Sequence, residues 1–262
     1  MRAVLVGEFG GPEQLRPARA ADPVPGPGQV RVAVRAAGVN PVDAGNRADG
    51  RWAGLRVPCV LGYDIAGVID GIGPGVTGLA PGERVMAMTH FPDGAGGYAE
   101  LAVVDAALAA SAGIITIGVG REAMHAQMRG LGATACIDYT REDVAARARV
   151  LAGGPVDAVA DLVGGRLARS ACAALRPGGQ IAAIATPDLD LDPLLDANIT
   201  FHGVLIQDDG DRTRVLADRL GRRELRPVIS HVLPLDAAAE AHRILESGHA
   251  GGKIILDVTG GL

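Results

Sequence analysis

The stretch AALAASAGIITIGVGREA, residues 106–123, decides the fold, because two different sequence patterns meet in it. Before it, residues 1 to about 107 predict short strands separated by Gly/Pro turns, and Gln29–Arg35 shows the alternation of a half-buried strand. After Gly113, apolar runs alternate with segments of helical spacing, beginning with a strand at Ile114–Ile117 and a helix over 121–130. We therefore predict a small β-barrel followed by a parallel α/β sheet.

The other predicted elements continue these two patterns. Further strands are predicted over 65–70, 83–88, 136–138, 156–161, 181–185, 199–206 and 253–258. Further helices are predicted over 167–175, ended by Pro177-Gly178-Gly179, and over 236–247, ended by Gly248.

Composition excludes several classes of protein. The chain has 262 residues and a net charge of −5 without a Lys/Arg block, so we expect no nucleic-acid or membrane partner. The three cysteines, Cys59, Cys136 and Cys172, are isolated, which indicates neither a disulfide framework nor a structural zinc site. The first residues predict a strand rather than a signal peptide, and no apolar run is long enough to span a bilayer. We therefore expect a cytoplasmic protein.

Seven phrases in chain order resemble the medium-chain dehydrogenase/reductase family, in its zinc-free quinone-oxidoreductase-like branch. They are AGVNPVD (37–43), VLGYDIAGV (60–68), GGYAE (96–100), LGA leading to IDY (131–139), LRPGG (175–179), EAHR (240–243) and GGKI (251–254). The resemblance implies a discontinuous GroES-like barrel over 1–107 and 233–262, and a Rossmann-like domain over 108–232. It also implies a substrate cleft between these domains, hydride transfer from NADPH to quinones or enones, and a homodimer contact near 199–206.

One part of the family pattern is missing. In the family, the barrel is followed by helices and then by a strand, a phosphate loop and a helix, whereas here Ala106–Ala112 leads directly to the second Rossmann strand. The loop binds pyrophosphate through backbone N–H groups and a helix N-terminus. Each such charge-assisted bond contributes about 1.5–3 kcal/mol. We therefore expect a truncated Rossmann-like domain with weak or no NADPH binding, whose second strand either pairs with the fourth or exposes an unpaired edge.

A repaired phosphate loop is the alternative. Gly118, Gly120 and Ala123 fit the G-x-G-x-x-A pattern between a predicted strand and a helix, and Asp138 follows at the spacing of a ribose-binding acid. With such a loop, the cofactor would be NADPH. In the other interpretation, this segment is only the turn after the second strand, where Arg121 would face a 2′-phosphate.

The resemblance also indicates the substrate side. Asn40 and Tyr63 stand where zinc-dependent relatives carry metal ligands, and both bind zinc poorly, so we predict no metal. Tyr63 could orient or protonate a carbonyl oxygen, with Asp64 as base or orienter and Asn40 beside them. The structural alternative is that Tyr63 and Asp64 tie neighbouring loops together.

Three functions remain open from the sequence. The first is an enzyme for a conjugated carbonyl or polyketide-like molecule that catalyses cyclisation, isomerisation or elimination without NADPH. The second is an NADPH-dependent quinone or enone oxidoreductase with the repaired loop. The third is a non-catalytic binding protein.

Overall fold

A computed structural model describes residues 1–92, 96–104, 116–130, 133–204 and 210–261. The chain forms two compact units, of which unit 1 is Met1–Ser111 with Gln207–Leu262 and unit 2 is Ala112–Ile206. The boundary predicted at residue 233 lies instead at residue 207.

The strands follow the chain in this order: β1 Arg2–Val6, β2 Leu15–Arg19, β3 Val30–Val39, β4 Cys59–Val60, β5 Asp64–Ile72, β6 Arg84–Met88, β7 Leu101–Val104, β8 Ile117–Val119, β9 Ala135–Ile137, β10 Val156–Asp161, β11 Leu175–Ala183, β12 Thr200–Gly203, β13 Ile229–Pro234 and β14 Lys253–Asp257. The α-helices are α1 Pro41–Asp49, α2 Glu122–Gly130, α3 Val144–Ala152, α4 Gly165–Cys172, α5 Leu191–Asp196, α6 Gly210–Gly221 and α7 Ala238–Glu246. Short 3-10 turns lie at Pro12–Gln14, Arg51–Ala53 and Leu235–Ala237.

Unit 1 is built from two connected sheets, as the barrel prediction requires. One sheet has the order β2-β1-β4, and the other has the order β13-β14-β3-β5-β6, with β7 also paired to β3. A bridge between Ala3 and Ala99 joins the first sheet to the segment that leads into β7. The long strand β3 contacts three neighbours, because its first half pairs with β7 and its second half with β14.

The core of unit 1 is aliphatic and continuous with the C-terminal segment. Val32, Ile69 and Leu256 are buried on β3, β5 and β14, and they share one cluster with Leu235 and Ala241. Since α6 contacts β6 and β13 pairs in parallel with β14, residues from 210 onward belong to unit 1. This packing explains why the boundary lies before α6.

Unit 2 contains a divided parallel sheet. β8 pairs only with β9, and β10-β11-β12 form a separate sheet, so among the described strands none pairs with the free edges of β8 and β10. The second and fourth predicted strands therefore do not pair, and both edges lack a described partner. α3 contacts β8, β9 and β10, and its Val144 and Ala148 share a core cluster with Ile137 of β9.

One predicted helix is wrong at its C-terminal end. The helix predicted over 167–175 ends at Cys172, and β11 begins at Leu175 and runs through Pro177-Gly178-Gly179. Gly178 has a φ of 71°, and the pairing register between β10 and β11 shifts between Val156 and Ala158. A bulge of this kind accommodates a proline, which has no N–H to donate, inside a strand.

No helix in the described ranges is long and apolar enough to cross a membrane.

Candidate functional site

A lysine, a carboxylate and an amide meet on neighbouring strands of unit 1. The ammonium group of Lys253, at the start of β14, donates to Oδ2 of Asp64 at 2.7 Å and to Oδ1 of Asn40. The side-chain amide of Asn40 donates to the same Oδ2 at 3.0 Å. We call these three residues the lysine site. Side-chain exposures of 33% for Lys253 and 45% for Asp64 leave the site open to solvent.

A glycine on the central strand makes this arrangement possible. Gly38 of β3 pairs with Asp64 of β5, and β14 lies on the other side of β3. A Cβ atom built on Gly38 would lie 2.8 Å from Cε of Lys253 and 3.1 Å from Cβ of Asp64. The lysine side chain therefore crosses β3 where no side chain stands in its path.

The lysine site has one N–H donor and one carboxylate oxygen that are not used by contacts among the described residues. An ammonium group has three N–H donors, and the two contacts of Lys253 use two of them. Both contacts on Asp64 go to Oδ2, and among the described residues Oδ1 of Asp64 accepts no hydrogen bond. A cationic donor and a carboxylate oxygen thus stand side by side, which suits binding of a carbonyl oxygen next to transfer of a proton. Lys253 is also the single lysine of the chain.

Beneath this site lies a buried carboxyl group. Asp43 of α1 is fully buried, and its Oδ2 accepts the backbone N–H of Asn40 at 2.8 Å. Burial raises the pKa of Asp43 from 3.8 to about 7, against the lowering effect of that N–H bond. The nearby charge of Asp64 raises the pKa of Asp43 further. Asp43 is the last residue of the phrase AGVNPVD, and the structure places it behind the lysine site.

A chain of buried polar groups continues from Asp43 to α7. The Tyr98 hydroxyl lies 3.1 Å from Nε2 of His242, and Nε of Arg47 donates to Nδ1 of His242 at 3.3 Å. Arg47 also binds the carbonyl of Gly10 at 2.8 Å and forms an ion pair with Glu246. Burial, followed by the charge of Arg47, lowers the pKa of His242 from 6.5 to about 4, so its ring is neutral at physiological pH.

Tyr63 lies apart from the lysine site. It is 1% exposed, its hydroxyl donates to the carbonyl of Pro92 at 2.6 Å, and it accepts from the amide of Asn46 at 2.5 Å. Its ring also contacts Phe91 edge-on. These contacts favour the loop-tying interpretation over a chemical one, and a catalytic role for Tyr63 stays a prediction.

The glycines of the proposed phosphate loop serve another purpose. Gly118 lies inside β8, and a Cβ atom on it would lie 2.9 Å from Sδ of Met128. A Cβ atom on Gly120 would lie 2.2 Å from Cε of the same methionine. Both glycines thus allow α2 to approach β8 closely. Since one glycine of the motif is part of the strand, only Gly120 and Arg121 are left for the turn.

The start of α2 is already bound by an acidic side chain. Asp138, which is 6% exposed, accepts the N–H of Glu122 at 3.2 Å through Oδ2, and the N–H and hydroxyl of Thr140 through Oδ1. The bonds from Thr140, and then that from Glu122, lower the pKa of Asp138 and keep it ionised. A carboxylate thus lies at the start of α2, where the repaired-loop alternative needs a phosphate. The cofactor-binding role of Asp138 stays a prediction.

Arg121 remains available as an anion contact. Its Nε donates to the hydroxyl of Tyr139 at 3.2 Å, and both side chains are exposed beyond the carboxyl ends of β8 and β9. This location fits the second sequence interpretation, in which Arg121 faces a phosphate after the second strand.

No cluster of three metal-binding side chains occurs in the part of the chain that the structure describes. In the lysine site, an ammonium group occupies the space between the two oxygen donors, which does not suit a cation. The absence of zinc stays a prediction.

The sequence indicated Asn40 and Asp64 as site residues but gave no such indication for Lys253. The available signal was that it is the single lysine of the chain and lies in the phrase GGKI. Arg47 and His242 were also missed, because buried polar partners that are 195 positions apart leave no local pattern.

Two family models match the chain. The model of the alcohol dehydrogenase GroES-like domain covers residues 26–113, and a zinc-binding dehydrogenase model covers residues 131–256. The chain is similar to the quinone oxidoreductase of Lama guanicoe, with 41% identity over 104 residues, or 39% of this chain and 31% of that protein. It is also similar to the synaptic vesicle membrane protein VAT-1 homolog-like of Mus musculus, with 35% identity over 91 residues, or 35% and 22% of the two chains. The chain thus spans about a third or less of these relatives.

Solved structures match over almost the whole chain. An NAD-dependent alcohol dehydrogenase superposes with a TM-score of 0.81 at 26% identity, covering 98% of this chain and 100% of the other. A quinone oxidoreductase from Coxiella burnetii superposes with a TM-score of 0.82 at 24% identity, covering 98% and 99%, and shows the shared fold alone. The oxidoreductases among these proteins support an enzyme and give no support to cyclisation, isomerisation or elimination.

Proposed function

Because the chain belongs to the medium-chain dehydrogenase/reductase family as a quinone-oxidoreductase-like member, we propose that it binds a conjugated carbonyl compound at the lysine site and stabilises its enolate. The supporting observation is the third N–H of Lys253 beside Oδ1 of Asp64, neither of which has a hydrogen-bond partner among the described residues. A carbonyl oxygen bound by the ammonium group would place its neighbouring carbon near that carboxylate oxygen.

The reaction that these two groups can perform is a proton transfer. In the β,γ-unsaturated isomer of the bound compound, the C–H bond between the carbonyl and the double bond breaks, the proton moves to Oδ1 of Asp64, and the electron pair moves through the new dienolate onto the carbonyl oxygen. Lys253 stabilises the resulting enolate. Return of the proton to a more distant carbon shifts the double bond, so the step is an isomerisation that needs no oxidant or reductant. A charge-stabilising donor of this kind contributes about 10²–10³-fold to the rate.

Three features of the described part of unit 2 lead us to favour a reaction without a nicotinamide cofactor. The sheet is divided, Gly118 and Gly120 pack against Met128, and Asp138 occupies the start of α2. We therefore favour a proton-transfer reaction over a hydride-transfer reaction as the function of this chain. Of the three NADPH-independent reactions that the sequence left open, namely cyclisation, isomerisation and elimination, we propose isomerisation.

Deuterium exchange tests the proposal. The protein is incubated in D₂O with a β,γ-unsaturated cyclic ketone and no nucleotide, and proton NMR follows deuterium uptake and the shift of the double bond. We expect uptake that falls about 10²–10³-fold in Lys253→Met, which keeps the length of the side chain and removes its charge. Arg31→Met, at an exposed ion pair elsewhere on β3, is the matched control and should retain activity. Equal rates in the native protein and Lys253→Met would refute the proposal.

The second candidate function is an NADPH-dependent quinone or enone reductase. It is favoured by the named relatives and by Arg121 beside Tyr139, which could bind a nucleotide phosphate. If it is correct, NADPH should raise the melting temperature, since ligand at a hundredfold excess over Kd adds about 2.7 kcal/mol. Arg121→Ala should abolish that shift, whereas Arg129→Ala at the other end of α2 should not. A protein whose melting temperature NADPH leaves unchanged would exclude this candidate.

A further inference from the structure

Two buried oxygen atoms on one face of α1 lack donors. Oδ1 of Asp43 and Oδ1 of Asn46 are both buried, and neither has a hydrogen-bond partner among the described residues. Positions three apart on a helix lie on the same face. An ionised carboxylate and an amide oxygen can only accept, so they cannot satisfy each other. A proton on Oδ1 of Asp43 would turn one acceptor into a donor.

The donors of the buried polar chain all run toward Asp43. The guanidinium group of Arg47 is always protonated, so Nδ1 of His242 must accept from it. In the neutral ring the hydrogen then sits on Nε2, which donates to the hydroxyl oxygen of Tyr98. The O–H of Tyr98 is therefore left to point elsewhere. The Tyr98 hydroxyl lowers the pKa of Asp43, although no hydrogen bond joins the two side chains among the described residues.

The second oxygen of Asp43 reaches the lysine site through one residue. Oδ2 accepts the backbone N–H of Asn40, whose side chain binds both Lys253 and Asp64. Asn40 precedes the first residue of α1, so the carboxyl group fixes the chain where strand β3 turns into the helix. A change in Asp43 is thus transmitted to the lysine by one backbone hydrogen bond and by charge.

We propose that Asp43 is a positioning residue of the lysine site: it holds Asn40 in place, and the gain or loss of one proton on its carboxyl group changes the charge that Lys253 experiences. The proposal concerns the site to which the proposed function assigns the chemistry, but it does not depend on which reaction occurs there.

The surroundings of Asp43 place this proton change near neutral pH. The titratable or charged groups that face it are Arg47 on α1, Asp64 on β5, Tyr98 before β7, His242 on α7 and Lys253 on β14. Burial is the largest cause of its raised pKa of about 7, and the charge of Lys253 opposes the shift. The ionised carboxylate of Asp43 and the ammonium group of Lys253 therefore attract each other.

The single lysine makes the test direct. Protein grown on carbon-13-labelled lysine gives one Cε resonance, which is followed by NMR from pH 5 to 9. We expect a displacement of that resonance with a midpoint near pH 7, the pKa of Asp43. Asp43→Asn, which resembles the protonated carboxyl group, should abolish the step. Asp70→Asn, which removes a carboxylate from the outer part of β5, should retain it.

A second variant keeps the test decisive if Asp43→Asn does not fold. Tyr98→Phe removes a donor that lowers the pKa of Asp43, so the step should move to higher pH. Any of three results would overturn the proposal. The native protein could show no displacement of the Cε resonance near pH 7, the displacement could persist in Asp43→Asn, or its midpoint could stay unchanged in Tyr98→Phe. Because the resonance is read without substrate, a protein that exchanges no deuterium can still show the step. Failure of the proposed function and failure of this inference are therefore distinguishable.

Discussion

Asp43 and His242 should give the stability of the folded chain two opposite dependences on pH. The carboxyl group holds its proton more tightly when folded, with a pKa of about 7 against 3.8, so the stability it contributes is complete below 3.8 and is lost as the pH rises toward 7. The imidazole holds its proton less tightly when folded, with a pKa of about 4 against 6.5. Its contribution is present above 6.5 and is lost as the pH falls toward 4.

The two effects nearly cancel in the native protein between pH 4 and 6.5. Each corresponds to about 1.36 kcal/mol per pH unit. Replacing one group should therefore unmask the other. In Asp43→Asn, the free energy of unfolding should fall by about 3 kcal/mol on acidification from pH 6.5 to 4, because the pKa of His242 is lowered across this range. In His242→Gln, the free energy of unfolding should rise by about 4 kcal/mol on acidification from pH 7 to 4, because the pKa of Asp43 is raised across this range.

Urea unfolding at half-unit steps from pH 4 to 8 measures these differences. Subtracting the native curve from each variant curve removes the groups that all chains share. Asp43→Asn should also be more stable than the native protein at pH 8, because it no longer buries a charge. Asp70→Asn, at an exposed carboxylate, controls for the loss of one negative charge. The reasoning fails if the difference curves are flat, or if Asp43→Asn is the less stable protein at pH 8.

Three further substitutions test local geometry. Gly38→Ala should displace Lys253 while leaving the fold intact, read as a shifted lysine Cε resonance with a melting temperature changed by only a few degrees; an unchanged resonance would contradict the crossing geometry. Gly120→Ala should destabilise unit 2 by about 1–3 kcal/mol, since the new methyl group overlaps Met128, and denaturant unfolding should show a partial recovery on combination with Met128→Ala. Tyr63→Phe should lower the free energy of unfolding by about 1–3 kcal/mol, because the buried amide of Asn46 loses its acceptor. The same substitution should reduce deuterium exchange far less than Lys253→Met does. A larger reduction in Tyr63→Phe than in Lys253→Met would support a chemical role for the phenol.

Strand alternation was sufficient to predict the strands of the barrel, and the family resemblance indicated Asn40 and Asp64, two of the three residues of the lysine site. The same alternation explains what failed. Tyr63 and Asp64 are adjacent, and successive side chains of extended backbone point to opposite faces. Asp64 therefore faces the lysine, whereas Tyr63 is directed into the interior and bonds to Pro92. Tyr63 and Asp64 therefore face different sides, and the alternation of an extended segment predicts this from the sequence.

The glycine motif leaves two interpretations open for a different reason. A pattern of glycines records where backbone must be approached closely, but not what approaches it. At Gly118 and Gly120 the approaching group is Met128, from the helix that follows. The partners of His242 and Lys253 come from distant parts of the chain, and only tertiary structure brings them together.

The divided sheet changes how unit 2 can hold together. In an unbroken parallel sheet, each strand is tied to the next by backbone hydrogen bonds, and breaking any of them disturbs the whole array. Here β8 and β9 are linked to β10, β11 and β12 through the side chains of α3, whose first turn is capped by Asp143. Among the described residues, side-chain packing rather than backbone pairing joins the two sheets, so local unfolding of one sheet breaks no backbone hydrogen bond between strands of the other. Ile137 of β9 packs against Val144 and Ala148 of α3 in the side-chain cluster that connects the two sheets.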